Sequence, residues 1–312
     1  MSATRTDERL TVVGGAGFIG SHLVERLLTE HRVIDVIDDL SSGSFANLAV
    51  ARGLARNSEL SLTIHHLDAA ADEAASLLEM RPPSVLYMLA TLPDASAGPA
   101  ETAGGLSRVV TVLDAARRAG VAKVVVVLPA TVLYGSPAAR DLPIKEAAVT
   151  PRGVRGAVAR AIIDTLDWYR STYAMEFTVA ALSSVYGPRQ RRGVVAEMLA
   201  AARGGISPTI TGDGRQTRDL IYIDDVVDAL ARAGGRGGGL VVNIGTGQQT
   251  SMLDLWELIS GGSGAEPEFI PEPVDGLGRF AVSPVRARIH LEWSPWTTLA
   301  EGIEALRASI PD

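Results

Sequence analysis

Residues 10 to 28 read Leu10-Thr11-Val12-Val13-Gly14-Gly15-Ala16-Gly17-Phe18-Ile19-Gly20-Ser21-His22-Leu23-Val24-Glu25-Arg26-Leu27-Leu28. A short apolar run passes through a glycine-rich corner directly into a segment with apolar residues at helical spacing. That succession predicts strand, turn and helix. In such a corner one glycine permits the tight turn, one lets backbone N–H groups approach a pyrophosphate, and one brings the helix against the sheet. Gly14, Gly17 and Gly20 hold those positions, and the helix start at Phe18 and Ile19 then faces an anion.

Working outward, the next candidate strand, Val33 to Ile37, runs into Asp38, 18 residues beyond Gly20. A carboxylate there accepts hydrogen bonds from an adenosine ribose and repels a 2'-phosphate, which favours NAD over NADP. Asp39 joins it in the expected cofactor site. Asp68, closing the third candidate strand, is placed at the adenine edge, with a surface turn as its alternative reading.

Apolar runs at Leu10 to Val13, Val33 to Ile37, Leu62 to Leu67, Val85 to Leu89 and Val121 to Leu128 lack polar alternation, as strands covered on both faces do. Helical segments are expected at Gly20 to Glu30, Ala69 to Met80 and Gly104 to Ala119, the last closed by Gly120. Gly156 to Tyr173 should form a long helix feeding a further strand, Thr178 to Leu182. The pattern is that of an α/β protein with a Rossmann-type, doubly wound parallel sheet. Beyond Pro188 shorter elements broken by Gly and Pro predict a smaller C-terminal lobe. The expected division is 1–187 for the dinucleotide and 188–312 mainly for a substrate, with some segments returning to the first domain.

The 312 residues are 46% hydrophobic and 21% charged, with a net charge of -7. An acidic chain argues against a nucleic-acid partner. The absence of cysteine excludes disulfides, thiol nucleophiles and cysteine-bound metals, and no metal site is expected. The opening MSATRTDERL is too polar for a signal peptide. The most apolar run, Val121 to Ala130, contains Lys123 and falls short of the ~20 residues of a membrane span. A cytoplasmic protein with no membrane partner is expected.

VVGGAGFIGSHLVERLL followed by VIDDLSSG resembles the extended short-chain dehydrogenase/reductase family, specifically its NAD-dependent nucleotide-sugar epimerases and dehydratases. The likeness continues through VLYMLAT, VYGPRQ at 185 to 190, GDGRQTRDLIYIDDVVDAL at 212 to 230, NIGTGQQTSMLDL at 243 to 255 and the closing LEWSPWTTLAEGI. It implies an enzyme that uses NAD to move a hydride at a sugar carbon, Leu89 and Ala90 beside the cofactor, a UDP- or dTDP-linked sugar as ligand, and a homodimer. Tyr186, Arg218 and Arg279 fall in segments that bind substrate in the family. Arg218 matches the diphosphate-binding arginine, a salt bridge to Asp219 or Asp224 being its alternative, whereas Arg279 is offset by several residues. The family's Arg and Asn positions before Tyr186 read Ala181 and Ser184.

The family's acid–base group is a Tyr-x-x-x-Lys pair with a nearby Ser or Thr. Here Ala130 stands at the hydroxyl position, Arg155 at the tyrosine and Ala159 at the lysine, in a register anchored by Pro151, Gly156 and Ala157. Guanidinium stays protonated, so Arg155 suits a phosphate or carboxylate rather than proton transfer, with a surface role as the alternative. Tyr134, in the retained Tyr-Gly pair, is the best remaining phenol, and Thr131 is the nearest hydroxyl. Two readings follow: hydride transfer with non-standard acid–base residues, or a non-catalytic protein that binds NAD and nucleotide sugar as a partner.

Overall fold

In the computed structural model, which describes residues 6–56, 60–93, 96–146, 151–262, 265–271 and 278–310, seven parallel strands make one central sheet. The first half alternates β1 (Thr6–Val13), α1 (Phe18–Leu28), β2 (His31–Asp38), α2 (Ala49–Arg56), β3 (Ser61–His66), α3 (Asp72–Met80), β4 (Val85–Met88), α4 (Pro99–Arg118) and β5 (Lys123–Pro129). After the short α5 (Ala130–Tyr134) come α6 (Gly153–Tyr173) and β6 (Glu176–Leu182). β5 and β6 are buried almost end to end, which is why their sequences show no polar alternation.

Short elements follow: β7 (Ser184–Tyr186), α7 (Val194–Gly204), β8 (Thr209–Thr211), β9 (Thr217–Arg218), β10 (Leu220–Tyr222) and α8 (Ile223–Ala233). β11 (Leu240–Ile244) then returns to the large sheet, whose order is β11-β6-β5-β4-β1-β2-β3. The chain ends with β12 (Thr250–Ser251), α9 (Met252–Ser260), β13 (Glu268–Ile270), α10 (Val285–His290) and α11 (Leu299–Ala308). Two apolar clusters flank the sheet, one including Val12, Ile34 and Val36, the other Val13, Ile37 and Val126. Since β1 lies between β2 and β4, the strand order reverses beside it, and a crevice opens at the carboxyl ends of these strands.

Several bounds differ from expectation for local reasons. α4 begins at Pro99 rather than Gly104, because proline supplies its first turn and the helix runs on through Gly104-Gly105. Gly105 lets α4 approach the chain after β4, since a β-carbon there would lie 2.8 Å from the carbonyl oxygen of Thr91. β5 stops at Pro129, so Ala130 and Thr131 open α5 rather than ending a strand. α2 was not anticipated; its AVARGLAR sequence is too short and arginine-rich to read as a buried helix. Among the described residues no helix is long and apolar enough to cross a membrane.

Candidate functional site

The corner between β1 and α1 is held from three sides. Gly14 adopts φ +81°, the left-handed region that disfavours a β-carbon, and its N–H donates to Ile37 O at 2.9 Å. Gly20 is closed in more tightly, because a β-carbon there would fall 2.1 Å from Gly14 O. From below, Asn47 Nδ2 and Ser44 N donate to Ala16 O at 2.8 and 3.0 Å. These two residues were not singled out from sequence, since no spacing rule links an Asn in a single helical turn to a corner 31 positions earlier. α1 itself has no side-chain cap and no acidic residue in its first turn. Its N-terminal N–H groups and dipole therefore present positive potential to the crevice.

Asp38 is 7% exposed and uses both oxygens on backbone: Oδ2 accepts from Ala16 N and Oδ1 from Leu40 N, each at 2.8 Å. The carboxylate thus pins the corner while retaining a second lone pair on each oxygen. Exposed Asp39 accepts from Ser41 N and Oγ at 2.9 and 2.6 Å. Burial raises its pKa, but these bonds outweigh that and hold it below the ordinary carboxylate value. Asp68 lies 3.7 Å from Arg108 Nε, an arginine of α4 that sequence reasoning passed over.

A cleft of about 460 Å³ occupies the crevice. Gly14, Gly17, Phe18, Ile19 and Gly20 form one wall, Asp38, Asp39 and Asp68 a second, and Leu89 and Ala90 a third. All ten residues assigned to the cofactor from sequence are thus brought together, with Pro93, Glu101 and Arg108 beside them. The lining carries the carboxylates of Asp38, Asp39, Asp68 and Glu101 against the guanidinium of Arg108, an acidic balance that disfavours a 2'-phosphate.

The remaining sequence candidates lie outside the cleft lining. Ala130 and Ala159, read from the sequence at the hydroxyl and lysine positions, are fully buried. Arg155, in the first turn of α6, donates from Nη1 to Pro93 O at 2.8 Å and so reaches the cleft wall through the backbone. Thr131 is half-buried in α5. Tyr134 is 1% exposed and donates its hydroxyl to Asn243 Oδ1 at 2.6 Å. Burial, then the charge of Glu146, pushes the pKa of this phenol, expected to be the best remaining acid–base group, upward. Tyr186, expected against substrate, is 1% exposed, packed on Tyr222 and over Gly302. Arg218 is half-buried on β9 and donates from Nη1 to Thr217 O and Gly278 O at 2.8 and 3.2 Å. Buried Asp219, suggested as its alternative partner, accepts instead from Thr246, Gly247 and Val282. Arg279 is exposed.

The model of the family described as NAD dependent epimerase/dehydratase matches residues 10–245. A UDP-glucose 4-epimerase of Mycolicibacterium smegmatis is 38% identical over 95% of this chain and 96% of its own length. Among solved structures, the UDP-glucose 4-epimerase of Thermotoga maritima with UDP-glucose superposes with a TM-score of 0.87 at 26% identity, covering 96% of this chain and 98% of that one. The UDP-glucose 4-epimerase of Thermus thermophilus in complex with NAD gives 0.85 at 25% identity, covering 96% and 98%.

Proposed function

The chain belongs to the NAD dependent epimerase/dehydratase family, and from that premise we propose that its cleft holds NAD against a UDP-type nucleotide sugar. The observation that carries this is the convergence of the glycine corner, Asp38 and the Leu89-Ala90 wall on one cleft. The pyrophosphate sits at the uncapped start of α1, where Gly20 leaves no room for any side chain. Asp38 takes the ribose hydroxyls on its spare lone pairs, with Asp39 and Asp68 towards the adenine. Arg218 faces the sugar nucleotide's diphosphate from the second lobe, so residues 1–187 serve the dinucleotide and 188–312 mainly the sugar.

When bound, the dinucleotide supplies a hydride acceptor and donor at its nicotinamide ring. The chain supplies no side-chain base at the three family positions, because alanine cannot accept a proton and guanidinium remains charged. The hydroxyl proton of the sugar therefore leaves to water or hydroxide. Losing a general base costs about 10²- to 10⁴-fold, so turnover is slow and rises with pH.

The same proposal includes a homodimer through α4 and α6, whose outer faces leave Val110, Val154, Trp168 and Tyr173 between 37% and 51% exposed. It includes a cytoplasmic setting. The test begins with calorimetric titration of NAD into dinucleotide-free protein, which should give saturable binding. The loaded protein is then incubated with UDP-glucose across pH 6 to 10 while products are separated. No binding of NAD would overturn the reading; binding of both ligands without conversion at any pH would remove its catalytic part only.

A further inference from the structure

We propose that Arg189 is a positioning residue that couples the nucleotide-sugar strand to the helix cradling the dinucleotide, so that each ligand tightens the binding of the other. The inference rests on the site reading above and extends it. β7 carries Ser184 at a family substrate position and ends at Tyr186; Gly187 then turns against Ile223, and Pro188-Arg189 comes alongside α1. Arg189 holds φ +69°, a left-handed conformation that its β-carbon disfavours, so contacts beyond the backbone must keep it there.

Those contacts all fall on α1. Arg189 Nη1 donates to Ser21 Oγ at 3.0 Å and Nη2 to Glu25 Oε1 at 2.6 Å. Pro188 O lies 3.0 Å from His22 Nε2. Ser21 in turn donates from Oγ to Phe18 O and from N to Gly17 O, both at 3.1 Å, and these are cleft residues. The Arg189 and Glu25 side chains are 21% and 20% exposed, so the pair is partly shielded from water and salt. Arg189 does not line the cleft. It instead fixes the end of β7 to the turn of α1 that faces the pyrophosphate. A ligand that orders β7 orders this clasp, and by linkage the effect is reciprocal.

NAD is titrated calorimetrically into dinucleotide-free wild type, Arg189→Met and Arg189→Lys, each with and without saturating UDP-glucose. UDP-glucose should tighten NAD binding roughly fivefold in wild type, the lower end of ordinary site coupling. Arg189→Met should bind NAD alone but lose the factor, and Arg189→Lys, which keeps its charge beside Glu25, should retain part of it. Amide exchange of residues 18–28 in the NAD-loaded protein should slow on adding UDP-glucose in wild type and not in Arg189→Met. A merely stabilising arginine would lower the melting temperature and leave the coupling ratio alone. An unchanged ratio in Arg189→Met, or a ratio of one in wild type, overturns the proposal. Failure of wild type to bind NAD or UDP-glucose at all overturns the site reading too, and is a separate result.

Discussion

Tyr134 and Asn243, 109 residues apart, are joined by a 2.6 Å hydrogen bond that ties α5 to β11 inside the core. Asn243 continues the network, donating from Nδ2 to Ile144 O and from N to Glu146 Oε1. A phenol so placed is engaged within the fold, through a buried hydrogen bond to another element. Tyr134→Phe leaves a buried acceptor on Asn243, so unfolding free energy should fall by about 1–3 kcal/mol. NAD affinity should stay within twofold, read by denaturant titration and calorimetry together. A loss of NAD binding in a folded variant would place the phenol in the site after all.

Gly20→Ala should abolish dinucleotide binding. The new methyl would meet Gly14 O at 2.1 Å and Gly15 Cα at 2.7 Å, both backbone atoms that cannot swing aside. Relief requires α1 to move from the sheet, at about 1–3 kcal/mol of overpacking strain. The check is calorimetry beside a thermal melt, with a lowered melting temperature and no binding heat expected.

Asp38→Asn retains shape but turns one acceptor into an amide donor facing Ala16 N or Leu40 N, both now 2.8 Å away. The corner loses one of its pins, and the ribose loses a charged acceptor. NAD binding should weaken by about tenfold or more, since hydrogen bonds to charged groups contribute roughly 1.5–3 kcal/mol. Equal affinity in wild type and variant would remove Asp38 from the site.

Asp35 on β2 is 1% exposed and is met by Arg81 Nε and Nη2 at 3.1 and 2.9 Å and by Arg9 Nη1 at 2.8 Å. Burial raises its pKa, but the two guanidinium groups outweigh that and hold it below the ordinary carboxylate value. The folded value is therefore the lower one. Its contribution is complete above the unfolded value of about 3.9 and is lost as pH falls from there through the folded value. Melting temperatures from pH 7 to pH 2 should drop at the acid end. Asp35→Asn should be less stable at pH 7 by about 2 kcal/mol and show a shallower acid slope.

Ala159→Lys, which puts a lysine at the position aligned from sequence with the family's, should not restore chemistry by itself. Ala159 is fully buried, packed in the cluster containing Ile162 and Val158. A lysine there must displace neighbours or bury an uncompensated charge, and marked destabilisation is expected. Its melting temperature, measured beside that of Ala159→Met, separates the cost of charge from that of volume.

The corner was legible because its determinants are local. Gly14, Gly17 and Gly20 lie within one turn of chain, and Asp38 follows at the end of the adjacent strand, so spacing alone places them. Arg155 and Ala159 do share one helix, α6, as the common register read from their segment implied. The burial of Tyr134 was not legible, because the Tyr-Gly pair carries no mark of the asparagine that captures its hydroxyl from β11. The burial of Tyr186 was hidden likewise: a β-carbon at Gly302, 116 positions later, would collide with its ring, so glycine there leaves the ring room.

By itself the amino-acid order determined the alternation of strands and helices and the glycine corner, since backbone conformation and short-range hydrogen bonding respond to neighbours a few residues away. Only the folded arrangement decided which phenols are buried, that Asn47 and Ser44 brace Ala16, and that Arg189 grips Glu25 across 164 positions. Such pairings bring together residues from distant parts of the chain. Their energies depend on which faces meet once water has been excluded, and no local periodicity encodes that.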